Sequence, residues 1–168
     1  MRPKRPRLDP ALYLGVQQYF LTFCTAGRQP RFVDSAIVAL VREQIWRCAE
    51  CFDFALLAYC FMPDHLHLLI EGTTDGADLI AFVHQAKQRS GYACRAIGSG
   101  PLWQPSFYDH ILRNEDATLA VARYILENPV RAKLVTSPAE YAFSGSTRHT
   151  IDQIMEAACW APSRHRSS

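Results

Sequence analysis

Met62-Pro63-Asp64-His65-Leu66-His67-Leu68-Leu69-Ile70 is the stretch on which the reading of this chain turns. Met62-Pro63-Asp64 reads as a turn feeding a strand. Side chains alternate between the two faces of a strand, so His65 and His67 point one way while Leu66, Leu68 and Ile70 point the other, into a core. Two imidazoles about 7 Å apart along a rigid element form either a solvated strand face or a metal-binding pair that needs one or two further ligands. The residues around this stretch decide between the two.

Upstream, Val16 to Thr25 is rich in aromatic and β-branched residues and reads as a first strand. Asp34 is placed to cap a helix running to about Phe52, with Ile37, Leu40, Val41, Ile45 and Cys48 on one face. Phe54 to Phe61 reads as a buried second strand, joined to the histidine strand as a hairpin. A second helix is expected from about Asp78 to Ala96, burying Leu79, Phe82, Val83 and Ala86. Ser106 to Arg113 alternates as a fourth strand, and Asn114, followed by Glu115 and Asp116, caps a third helix. That helix is expected to end near Asn128, because Pro129 cannot donate to the ladder. Ser137-Pro138-Ala139-Glu140 has the spacing of a capping box, and a last helical segment spans roughly Thr150 to Trp160.

The order β-α-β-β-α-β defines an α+β, ferredoxin-like antiparallel sheet with two helices on one face. Those helices cover the Leu66/Leu68/Ile70 side. The histidine face is left for the third helix, and a C-terminal helical extension follows. The expected organisation is a basic disordered arm over residues 1–14, one catalytic domain over 15–161 and a disordered tail over 162–168.

Composition narrows the class. A chain of 168 residues with 49% apolar and 20% charged residues is an ordinary globular domain, and a net charge of +2 does not by itself mark a nucleic-acid binder. The charge is unevenly placed: Arg2, Lys4, Arg5 and Arg7 open the chain, and Arg164, His165 and Arg166 close it, positions suited to phosphate contact. No apolar run approaches the roughly 20 residues of a membrane span, and no signal sequence is expected at the start. The six cysteines lack framework spacing, and Cys48-Ala-Glu-Cys51 has no second pair to complete a zinc site. Reduced thiols and a cytoplasmic location are therefore expected.

On the third helix, Tyr124 and Asn128 are four residues apart and share a face. Taken singly, the tyrosine is a packing residue or a reactive group, and the asparagine a cap or a ligand. Two imidazoles and an amide oxygen leave positions open on Mg²⁺ or Mn²⁺ for the oxygens of a phosphodiester, and a nearby dication helps a phenol to act as nucleophile.

The Phe61-Met62-Pro63-Asp64-His65-Leu66-His67 stretch resembles the His-hydrophobe-His motif of HUH single-tyrosine transposases. More specifically, Trp103-Gln104, Phe107-Tyr108-Asp109-His110, Ile111-Leu112-Arg113-Asn114-Glu115, Tyr124-Ile125-x-x-Asn128-Pro129-Val130-Arg131-Ala132 and Pro138-Ala139-Glu140-Tyr141 resemble the REP-associated tyrosine transposases, in order, over about residues 15–145. The resemblance implies that Tyr124 is the nucleophile and that His65, His67 and Asn128 hold the metal. It implies cleavage and rejoining of single-stranded DNA beside small hairpin repeats, with a 5′-phosphotyrosine intermediate, by a monomer or homodimer. The family often has Asn where this chain has Asp64, a residue expected to shape the turn rather than to touch metal.

Lys87, Arg89, Arg113 and Arg131 are expected to hold the DNA backbone, and Trp103 and Tyr108 to stack on unpaired bases. His110 faces the site in one strand register and away from it in the next; His84 is expected to be structural. Two other classes fit the residues less well. A histidine-triad hydrolase would place a third alternating histidine at position 69, where this chain has Leu69. A non-catalytic hairpin-DNA or RNA-binding module would carry aromatic base-stacking residues on the first and third strands, where Phe23 and the histidines stand.

Overall fold

The computed structural model describes residues 9–98 and 100–160, without the Trp160 side chain. The basic residues at 2–7 and 164–166 lie outside the described residues.

The first strand, β1 (Gln18–Cys24), leads through a turn-rich loop to α1 (Ser35–Cys51), whose first turn is capped by the Asp34 carboxylate accepting from the Ala36 N–H. The hairpin β2 (Phe54–Met62) and β3 (His65–Gly72) follows, then α2 (Leu79–Arg95), β4 (Tyr108–Leu112) and α3 (Glu115–Arg131). A two-residue strand, β5 (Ser144–Gly145), and α4 (Ile151–Trp160) complete the fold. All pairings are antiparallel, in the order β4-β1-β3-β2-β5. The first four strands have the ferredoxin-like order that the sequence implies.

Alternation divides the apolar residues between two cores. Tyr19, Leu21 and Phe23 of β1 and Leu66, Leu68 and Ile70 of β3 pack with α1 and α2 in the larger core. Leu69, Ala58, Cys60 and Met62 face the other way and meet Ala122, Ile125 and Leu126 of α3. The expected assignment of faces, with α3 on the histidine side, is what the structure shows. Strand β2 changes sides along its length: Leu56 pairs with Ile70 and Ala58 with Leu69, so Leu57 is an extra residue in a bulge. Before the bulge the even-numbered residues face α1 and α2; after it they face α3.

Three local expectations are corrected. Helix α3 does not stop before Pro129 but runs through it to Arg131. Pro129 lies in the last turn, where it forfeits one ladder bond, and the helix closes beyond it through the Ala132 N–H to Asn128 O and the Leu134 N–H to Pro129 O (both 2.9 Å). The Ser137–Glu140 segment is a 3₁₀ turn without a side-chain cap; Glu140 instead accepts from the backbone N–H and hydroxyl of Thr136. Folded structure also begins before residue 15. Pro10–Tyr13 forms a 3₁₀ turn with Tyr13 buried, and the Tyr19 hydroxyl donates to Leu12 O (3.0 Å). Gly72 makes this return possible: a Cβ there would stand 2.1 Å from Gly15 O.

Helix α4, which the sequence leaves without a place, packs on α3, with Ile154 in the second core. No helix among the described residues is long and apolar enough to cross a membrane. All six cysteines are free.

Candidate active site

The site forms where β3, β1 and α3 meet. Register places His67 between Thr22 and Cys60, and His65 between Cys24 and Met62, all on the α3 side of the sheet. The two Nε2 atoms lie 3.1 Å apart. Each ring is held from behind by its other nitrogen: Nδ1 of His65 is 2.7 Å from the Asp64 carboxylate, and Nδ1 of His67 is 2.9 Å from the Thr22 hydroxyl.

These contacts constrain the tautomers. A carboxylate only accepts, so Nδ1 of His65 carries a proton, and in the neutral ring Nε2 is the bare nitrogen. The Thr22 hydroxyl rotates to donate or accept, so His67 either donates from Nε2 to His65 or turns its own lone pair forward. In the second state two acceptor nitrogens face one another, an arrangement that asks for a cation between them. Burial, with His65, Arg131 and Arg28 adding to it, pushes the His67 pKa down to about 3. A neutral imidazole is the form that ligates metal. The donor chemistry therefore fits a divalent ion, with two nitrogen ligands oriented by a second layer.

Asp64 does more than shape the turn. Its second oxygen pairs with Arg28 Nε (2.9 Å), and its backbone oxygen accepts from the Thr25 N–H (3.0 Å) and hydroxyl (2.9 Å). Gly27 and Arg28 both have left-handed backbones (φ 59° and 56°), which turns the loop so that the guanidinium reaches back to the carboxylate. Asp64→Asn keeps the shape but removes the charge behind His65. It is expected to weaken Mn²⁺ binding by about tenfold or more, read by Mn²⁺ electron paramagnetic resonance titration of the metal-free protein; unchanged affinity would leave Asp64 a turn residue only.

Across from the histidines, α3 presents Tyr124, 44% exposed, with its ring centroid 6.0 Å from those of both His67 and Phe20. The Arg131 guanidinium stacks on this ring (4.3 Å to the centroid) and donates to the Tyr124 carbonyl. Glu127 binds both Arg131 (3.3 Å) and Arg123 (2.7 Å). Asn128 lies inside the helix rather than capping it, and its Nδ2 donates to the Tyr124 carbonyl (3.2 Å), leaving Oδ1 as its remaining acceptor. Among the described residues no three His, Cys, Asp or Glu side chains are grouped to hold a metal.

The residues expected to contact DNA separate. Tyr108, 40% exposed, and the exposed His110 are on the site face, in register with Thr22 and Phe20. Arg131 is at the tyrosine, and Arg113 is exposed at the start of α3. Lys87 and Arg89 are on α2, across the sheet from the histidines. Lys87 is not a phosphate contact: its ammonium donates to the carbonyls of Gln104 (2.6 Å), Pro105 (3.2 Å) and Ser106 (3.0 Å), and burial lowers its pKa to about 8. Trp103 is not a stacking platform: it is 8% exposed and its indole donates to Ser90 Oγ (2.8 Å), so it belongs to the core. His84 is exposed rather than structural. Sequence reasoning passed over Thr22, Phe20 and Arg28. Only the alternation of β1 placed the first two on the histidine face, and no local signal marked Arg28.

The profile of the IS200-like transposases matches residues 15–128. The chain belongs to this family, and with it to the enzymes of DNA transposition. The REP-associated tyrosine transposase of Escherichia coli (strain K12) is 26% identical over 132 residues, which cover 79% of this chain and 78% of that protein. A Haemophilus influenzae relative provisionally given the same name is 26% identical over 147 residues, covering 81% and 83%. The fold is similar to that of a REP-associated tyrosine transposase solved with a REP hairpin, with a TM-score of 0.72 at 23% identity over 86% of this chain and 82% of that one.

Proposed function

We propose that this chain cuts and rejoins single-stranded DNA beside hairpin repeats, with Tyr124 as nucleophile and a 5′-phosphotyrosine as intermediate. The observation that supports it most is the convergence of two back-braced imidazole nitrogens, 3.1 Å apart, beside a half-exposed tyrosine on the facing helix. His65 and His67 through Nε2, with Asn128 through Oδ1, would hold Mg²⁺ or Mn²⁺. When bound, that ion neutralises charge on the non-bridging oxygens of the phosphodiester.

The chain's own residues do the rest. Phe20 and the Arg131 guanidinium hold the Tyr124 ring between them. The phenol oxygen bonds to phosphorus as the bond from phosphorus to the 3′ oxygen breaks, and the proton lost by the phenol is balanced by the one gained by the 3′-hydroxyl. One phosphodiester is exchanged for another, so the bond energy is retained for rejoining. His67 and Tyr124 of the same chain face each other, which supports use of the tyrosine within its own protomer.

The test is a denaturing gel of wild type and Tyr124→Phe incubated with labelled hairpin-bearing single strands taken from repeats flanking the gene, with and without Mn²⁺. A covalent protein–DNA band that requires both the metal and Tyr124 is expected. Binding without an adduct over several such strands would make the protein a hairpin-binding module.

A further inference from the structure

On the side of the sheet away from the histidines, α2 and the segment 101–107 enclose a groove of about 560 Å³, within the range of ligand clefts (~300–1,000 Å³). Its floor is Trp103, fixed by Ser90, and one wall is the loop held by Lys87. Its rim carries His84, Gln88, Tyr92 and Arg95, all exposed; Tyr92 is 76% exposed, more than any other large apolar or aromatic side chain described.

The charge around it is one-sided. Residues 79–108, thirty in a row, contain no Asp or Glu, although the chain has 16 acidic residues in 168. Helix α2 alone carries Lys87, Arg89, Arg95 and His84. By contrast, α1 offsets Arg42 and Arg47 with Glu43 and Glu50, and α3 offsets Arg123 and Arg131 with Glu115, Asp116 and Glu127. A groove whose rim carries the Arg95 guanidinium and an exposed aromatic, and whose lining holds no carboxylate, complements a phosphate backbone with unpaired bases.

One lining residue of the groove adjoins the strand beside the candidate active site. The groove ends at Phe107, which packs on Phe23 in the core beneath it (6.2 Å between centroids). The next residue, Tyr108, points to the opposite face and meets Phe20 (6.1 Å), itself against Tyr124. Strand β4 is the edge of the sheet, so a path past Tyr108 over this edge joins the two faces.

We propose that this groove binds an unpaired single-stranded DNA arm that leaves the cleavage site past Tyr108 and crosses the β4 edge, with a base stacked on Tyr92 and a phosphate against Arg95. The inference rests on the DNA-cleaving reading above and adds a second contact region to it.

Fluorescence anisotropy tests it with three probes: a hairpin taken from repeats flanking the gene, the same hairpin with a ten-nucleotide unpaired arm, and a dT oligonucleotide of that length. For Tyr92→Ala/Arg95→Gln, affinity for the armed hairpin and for oligo-dT is expected to fall by about tenfold or more, with the hairpin alone bound as by wild type. Both substituted side chains are exposed, and a thermal melt checks that the fold is kept. If the variant binds the armed hairpin as tightly as wild type does, the groove placement is wrong while the cleavage reading stands. If wild type binds none of the three DNA probes, both fail; preference for a single-stranded RNA of the same length over the DNA arm would overturn the choice of ligand.

Discussion

If the proposed metal mechanism holds, His67→Asn is expected to reduce strand cleavage by on the order of a thousandfold or more, because several kcal/mol of charge neutralisation at the phosphodiester would depend on the nitrogen it removes. The expected loss in Mn²⁺ affinity is equally plain, since His65 would be left as the only imidazole donor. Hairpin binding should change little, because His67 is 6% exposed and would reach the DNA only through the proposed metal ion. Single-turnover cleavage, Mn²⁺ titration and anisotropy on the same preparation separate these effects. Cleavage within tenfold of wild type would mean that the histidine pair is structural.

Thr22→Val provides the graded control. It leaves Nε2 of His67 in place and removes only the hydroxyl 2.9 Å from Nδ1. If His67 acts as a ligand, this change should weaken metal binding and cleavage together and by less than His67→Asn does. If His67 merely packs against Phe20, whose ring centroid is 5.4 Å away, Thr22→Val should leave both unchanged.

The pair of histidines was legible in the sequence because strand alternation is local: His65 and His67 share a face whatever surrounds them. The caps at Asp34 and Asn114 were legible for the same reason, each bonding an N–H two or three residues away. What completes the site was not. Arg28 meets Asp64 from 36 positions earlier, through a left-handed loop whose geometry depends on its closure against the turn at Pro63. The bulge at Leu57 was hidden by a strand that is apolar on both sides, so the change of face left no break in its pattern. Lys87 and Trp103 looked like surface contacts because their type is common at nucleic-acid interfaces; the loop carbonyls and Ser90 that occupy them lie 13 to 19 residues away.

Ile125→Ala is expected to cost about 3 kcal/mol of stability and to lower the melting temperature by roughly 10 °C. Helix α3 docks through Ala122, Ile125, Leu126 and Pro129, the i, i+3, i+4, i+7 stripe of an amphipathic helix. Ile125 is fully buried at its centre, in the core it shares with Leu69, Cys60 and Ile154. Truncation leaves a void that the sheet cannot fill, because β3 is pinned between β1 and β2. The neighbouring Tyr124→Ala should cost far less, since that ring is 44% exposed and not part of the buried stripe. The contrast makes a combined prediction. Tyr124→Phe should remove the covalent adduct at nearly wild-type stability. Ile125→Ala should keep the adduct but lower its rate, because the helix that carries the phenol is no longer held as firmly against the histidine strand. Urea denaturation with hydrogen exchange along α3 measures the first half of this, and single-turnover adduct formation the second. A loss of stability below 1 kcal/mol would mean that α3 is not anchored through this stripe, and that Tyr124 is positioned over the histidines by something other than the second core.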